Sequence, residues 1–190
     1  MRVAYFAFIG LVGSILLTGC QAPKTVHKAI DTYKILQQAP RHETAFLSCA
    51  ASMGCHFSRI NGIRVFDDNS TRPTPEALRD GILRLEGSVF ALEHQYALSV
   101  PEGESEVVVS FYPVSKERAQ QFHLIHYFIA DREYKLVMYR NKSGANGSLL
   151  QVAAPGKLCV DLLENDREIR RFCRPHDVTT GLGEFLEEDV

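Results

Sequence analysis

Between Tyr96 and Arg140 stand four apolar-rich runs of strand composition, with turn chemistry between them. In an extended run successive side chains take opposite faces, so each run sorts its residues onto two sides of a sheet. Tyr96, Leu98 and Val100 share one face, and Val107, Val109 and Phe111 share one face of the run Glu106–Tyr112. Pro101-Glu102-Gly103 between them carries the proline and glycine of a tight reversal, so the two runs are expected to form a hairpin with a bulged loop. Gln121–Ile129 is apolar enough to predict a strand buried on both sides. Ala130-Asp131-Arg132 then reverses the chain into a fourth run with a wetter side, where Glu133, Lys135 and Val137 oppose Tyr134, Leu136 and Met138.

Leu98-Ser99-Val100-Pro101-Glu102-Gly103, the valine strand Val107–Val109 and Arg132–Leu136 together resemble PEGA-like domains, small β-sandwich modules named for a Pro-Glu-Gly turn. That resemblance implies a binding or spacer module of a cell surface, and it brings no catalytic residues. The expected fold is therefore mainly β: an antiparallel β-sandwich, immunoglobulin- or prealbumin-like, with one or two short helices.

The leader is the most specific signal. Arg2 precedes an almost wholly apolar run, Val3–Leu17, of about fifteen residues, short of the ~20 that span a bilayer. Leu17-Thr18-Gly19-Cys20 is similar to the lipobox of bacterial lipoproteins. The resemblance implies cleavage before Cys20, a diacylglycerol on its thiol and acylation of the new amino terminus. A single acyl chain holds a protein to a membrane only marginally, whereas several hold it stably. With Gln21 rather than aspartate next, enteric-type sorting implies the periplasmic face of the outer membrane.

These features divide the chain into a signal peptide (1–19), a lipidated tether (20–43), one β-rich domain (44–178) and an acidic tail (179–190). In the tether, Val26, Ile30, Tyr33 and Leu36 fall at helical spacing; in the tail, fraying is expected, with packing of Phe185 and Leu186 as the alternative. Loss of Met1–Gly19 removes Arg2 alone among charged residues, leaving 20 basic against 23 acidic side chains, a formal charge of −3. A mildly acidic body has no electrostatic reason to bind nucleic acid or anionic lipid.

Further strands are expected at Ile82–Leu85, Val89–Leu92, Leu149–Ala153, Leu158–Leu163 and Glu168–Cys173, with polar turns such as Asn146-Gly147 between them. Asn61-Gly62 suits a two-residue hairpin loop, a register that sets Arg59 opposite Arg64. Thr74-Pro75-Glu76, closed by Gly81, carries the N-cap, the N1 proline and the terminal glycine of one short helix.

Five cysteines become four once Cys20 is lipidated, an even number that favours disulfides in an exported chain. Three connectivities exist. If Leu158–Cys173 is a hairpin looping at Asn165-Asp166-Arg167, Glu164 faces Glu168 and Cys159 faces Cys173, at a separation a disulfide tolerates. Cys49 then pairs with Cys55. A zinc site needs closer spacings, such as Cys-x-x-Cys, and a redox-active pair needs the same motif.

Candidate site residues are sparse. His123 and His126 stand three apart, so a strand would send them to opposite faces, away from a shared metal. Asp67-Asp68-Asn69-Ser70 lacks the alternate spacing of a calcium loop, and Glu102, Glu104 and Glu106 read as a solvated edge. Arg167, Arg170, Arg171 and Arg174 make the one basic cluster, with Arg170 and Phe172 on one face of the expected strand and Arg171 and Cys173 on the other; Arg170, Arg171 and Arg174 are candidates to contact an anionic glycan or headgroup, against a plainer reading in which they pair with the acidic tail. Neither a nucleophile elbow, a zincin motif nor a phosphate loop occurs. No cofactor and no metal is expected. The reading is a non-enzymatic envelope lipoprotein, held to the membrane through its N-terminal lipid, whose partner is another envelope protein or a glycan. Its rival is an envelope hydrolase or metal-dependent enzyme assembled from scattered residues.

Overall fold

A computed structural model describes residues 35, 43–67, 72–86, 95–141, 156–175 and 183–190. Outside them lie the leader with Cys20, the tether stripe from Val26 to Leu36, Asp68-Asn69-Ser70, the expected strands Val89–Leu92 and Leu149–Ala153, and Asn146-Gly147.

The chain is mainly β, in two sheets. The strands are β1 (Thr44–Ala50), β2 (Cys55–Ile60), β3 (Ile63–Arg64), β4 (Leu83–Glu86), β5 (Gln95–Pro101), β6 (Gly103–Phe111), β7 (Gln120–Phe128), β8 (Glu133–Asn141), β9 (Lys157–Glu164), β10 (Arg167–Arg174) and β11 (Leu186–Glu188). The larger sheet runs β11-β10-β9-β8-β1-β5-β4 and the smaller β3-β2-β6-β7.

Their inward faces meet. Leu47, Leu98, Leu136, Val160 and Leu162 come from the large sheet and Phe57, Val107, Val109, Phe111, Leu124 and Phe128 from the small one, all essentially sealed from solvent. Each contributes roughly 1.5–3 kcal/mol of burial. Ile35 is helical, buried and part of the same core. Among the described residues no helix is long and apolar enough to cross a membrane.

Local signals are met closely. Asn61 and Gly62 both take positive φ, 47° and 81°, as a two-residue loop matched to strand twist requires. Arg59 pairs with Arg64 in the ladder, and both side chains are exposed, where water screens their repulsion. In helix α1 (Pro75–Arg79) the Thr74 hydroxyl accepts from the Ala77 amide at 3.1 Å and donates to the Arg64 carbonyl at 2.7 Å, tying the helix start to β3. Gly81 follows the helix end with φ 59°.

Three expectations are corrected. The reversal at Pro101–Gly103 is not a hairpin: β5 is already bonded by β1 and β4, so the chain has no edge to return along and arches across to the small sheet, with Gly103 at φ 109°. Strand β7 is buried on one face only. It is the outer strand of the small sheet, and Ile125 and Tyr127 are both 61% exposed. The hairpin β9–β10 turns on two residues, Asn165 (φ 48°) and Asp166 (φ 63°), so Glu164 faces Arg167. A bulge between Glu168 and Arg170 then absorbs one residue, and Cys159 still faces Cys173.

One pair in the large sheet, β1 with β8, is parallel. Strand β1 is antiparallel to β5, and three reversals separate β5 from β8, so β8 must run with β1. The last three-residue strand, β11, lies in the stretch expected to fray and instead pairs with β10.

Candidate functional site

The bulge in β10 decides where its arginines point. Beyond it, Arg170, Phe172 and Arg174 share the face that looks toward the small sheet, and Arg171 and Cys173 share the outer face. The arginines therefore divide between the two faces as the strand period predicts.

On the outer face Arg171 donates from Nε and Nη2 to the two Asp161 oxygens, at 2.9 and 3.2 Å, and from Nη2 to Glu168 at 2.8 Å. Tyr139 adds a third contact to Asp161 at 3.2 Å. Those carboxylates raise the Arg171 pKa further, chiefly through the Asp161 hydrogen bonds, and its charge is satisfied within the protein.

On the inner face Arg170 holds Glu187 of β11 by two parallel bonds, 2.6 and 2.8 Å, and donates from Nη1 to the Ile125 carbonyl at 2.9 Å. Glu106, opposite Ile125, directs its own carbonyl toward Asn61 and β2, so the Ile125 backbone faces the edge of the small sheet that no strand covers among the described residues. Arg170 thus bridges the tail to that edge. Its guanidinium lies 4.7 Å from the Phe172 ring centre, and that of Arg174 lies 5.1 Å from the Phe185 ring. Arg174 also donates to the Gln120 amide oxygen at 2.5 Å. Phe185 packs edge-on to Phe122 at 5.3 Å, closing the gap between β7 and β10.

The two histidines of β7 part as their spacing requires. His123 is exposed, 3.7 Å from Glu106, whereas His126 turns inward against the rings of Phe128 and Tyr134 at 5.0 and 5.6 Å. Among the described residues no three His, Cys, Asp or Glu side chains are grouped to hold a metal ion. Glu104 and Glu106 stand exposed on β6. An open polar groove lies elsewhere, between the β3 loop and helix α1, lined by Arg64, Asp67, Thr74, Glu76 and Arg79.

Both disulfides are formed. Cys159 and Cys173 sit opposite each other within the large sheet, Cα atoms 4.1 Å apart, and Cys49–Cys55 joins the end of β1 to the start of β2, one sheet to the other, at 6.1 Å.

A cluster not singled out from sequence gathers at the β2 side. His56 stacks on Tyr112 at 5.6 Å, meets Phe66 edge-on at 6.3 Å, and shares a 3.2 Å contact between its Nδ1 and the Tyr112 hydroxyl; Phe66 in turn meets Tyr96. The partners come from four separate segments, so no local spacing announces them.

Burial lowers the pKa of His56, and burial followed by the nearby Arg170 lowers that of His126, against the opposing pull of Glu164 and Glu187. Both are depressed in the fold, so the unfolded chain takes up protons first as pH falls through the ordinary value of 6.5. Stability is full above that value and is expected to fall on acidification from pH ~8 to ~5.5. Urea titrations across that range should show it, and His126→Gln should flatten the slope in part. A parent chain equally stable at both ends would contradict the assignment.

Comparison of the chain with protein-family models, curated proteins and solved structures finds no match. What stands is a class, a two-sheet β protein with two disulfides.

Proposed function

We propose that the chain is a lipid-anchored lipoprotein of a bacterial envelope, on the periplasmic face of the outer membrane, whose β body is a non-enzymatic binding or assembly module. The observation that carries this reading is Leu17-Thr18-Gly19-Cys20 at the end of an apolar leader too short to span a bilayer. Disulfides between all four other cysteines support an oxidising compartment. The PEGA-like residues around Pro101-Glu102-Gly103 support a surface module without chemistry of its own, and the partner is then an envelope protein or glycan.

Metabolic labelling with palmitate in the producing cell, followed by fractionation, tests the anchor. The parent chain should carry label and sediment with membranes. Cys20→Ser should lose the label and drop about tenfold or more in its membrane-bound fraction, because no acyl chain remains. An unlabelled parent chain that fractionates like Cys20→Ser would overturn the proposal.

A further inference from the structure

Strand β10 would form the edge of the large sheet were it not for β11, and β11 covers little of it. Its ladder runs only over Arg171–Glu188, Phe172–Glu187 and Cys173–Leu186, so Arg167–Arg170 have no strand beside them on that side among the described residues. Side chains fix the rest. Glu187 is gripped by Arg170 from below, Glu188 by Lys157 at 2.7 Å on the outer face, and the Phe185 ring fills the slot between Phe122 and Arg174.

The edge is therefore built for one chemistry: an extended segment with an aromatic residue, a spacer, and two successive carboxylates. The spacer Leu186 is 62% exposed and selects nothing. The resident occupant is also held over a short length. A three-residue ladder is at the lower end of the range for strands, the Lys157–Glu188 pair, 51% and 40% exposed, adds little, and the bidentate Arg170–Glu187 pair is the one strong polar hold, with Glu187 still 50% exposed. An occupant that matches the site over so short a ladder has the character of a self-ligand.

We propose that β10 is a strand-docking edge for an acidic, extended segment of a partner protein, an aromatic residue placed two positions before a carboxylate pair, and that residues 185–188 cover this edge until the partner displaces them. Main-chain pairing supplies affinity, and Phe122 with Arg174, Arg170 and Lys157 supply specificity, as in other cases of strand addition. The idea names a partner chemistry for the β body and does not rest on the lipid anchor, so its failure and the failure of the palmitate test are separable.

The test uses the full chain in detergent and, as probe, a fluorescent peptide of the sequence from Gly183 to Val190. With the edge covered, apparent affinity is reduced by the uncovered fraction. Phe185→Ala with Glu187→Ala in the chain should free the edge and tighten peptide binding about tenfold or more. Adding Arg170→Glu should abolish that gain. A peptide carrying lysine in place of Glu187 should fail on the tail variant and bind again once Arg170→Glu is present, an exchange that a merely unfolded protein would not reproduce. Binding no tighter to the tail variant than to the parent, or blind to the charge exchange, would overturn the proposal. So would dimers of the parent chain that the tail substitutions abolish, because they would assign the edge to a second copy.

Discussion

Replacing Cys159 and Cys173 together by alanine is expected to destabilise the chain by about 3 kcal/mol, and replacing Cys49 and Cys55 by about 2 kcal/mol. The order follows from the loops closed, 14 residues of separation against 6, since a longer loop removes more freedom from the unfolded chain. In a body of this size the first change should lower the melting temperature by roughly 6–12 °C. Burial separates the pairs a second way. Cys159 and Cys173 are 0% and 1% exposed, while Cys55 is half-buried, so a reductant added to the folded protein should open Cys49–Cys55 first. Denaturant curves on the two double variants, with mass mapping of thiols trapped during reduction, measure both orders. A larger loss from the Cys49/Cys55 variant would mean that its link between the sheets outweighs loop length, and the entropic account would fail here.

The bond Cys159–Cys173 is legible from spacing even though the turn is one residue shorter than the spacing predicts. A three-residue loop at Asn165-Asp166-Arg167 and a two-residue loop followed by a bulge near Ile169 give the same register at the cysteines. Signals confined to a few neighbouring residues were legible in this way: the Asn61-Gly62 loop with Arg59 beside Arg64, and the Thr74-Pro75 helix start. What could not be read was the choice of partner strand. Pro101-Glu102-Gly103 has the same turn chemistry whether the chain returns along β5 or arches to the other sheet, and the outcome depends on β1, some fifty residues earlier, already occupying that edge.

The apolar run of β7 misled for a related reason. Ile125 and Tyr127 have strand composition, but nothing in their own segment says that β7 lies outermost. The arginines of β10 divide as the strand period predicts: Arg170 reaches Glu187 on the tail, as the plainer reading has it, and Arg171 reaches Asp161 on β9, a partner that no local spacing announces.

Tyr134→Ala should cost about 3–5 kcal/mol and Tyr134→Phe only about 1–2 kcal/mol, a difference that isolates what joins the two sheets at this end. Tyr134 belongs to β8 in the large sheet, is 1% exposed, and sets its ring edge-on to Phe128 at 5.0 Å and to His126 at 5.6 Å, both on β7 of the small sheet. Alanine removes the ring and leaves a cavity the rigid sheets cannot close, together with two edge-to-face contacts of roughly 0.5–1.5 kcal/mol each. Phenylalanine keeps the ring and deletes only the hydroxyl that accepts from the Ile129 amide at 3.3 Å. Burial, the largest influence on that hydroxyl, raises its pKa, so it stays protonated at neutral pH. The alanine variant carries a second signature. Opening the space beside His126 readmits water, the burial that depresses this histidine is relieved, and the loss of stability on acidification from pH ~8 to ~5.5 should become shallower than in the parent chain. Urea titrations of the two variants at both pH values decide the matter. Equal losses for phenylalanine and alanine would place the weight on the hydroxyl rather than the ring, and an unchanged pH slope in the alanine variant would detach His126 from the seam that Tyr134 closes.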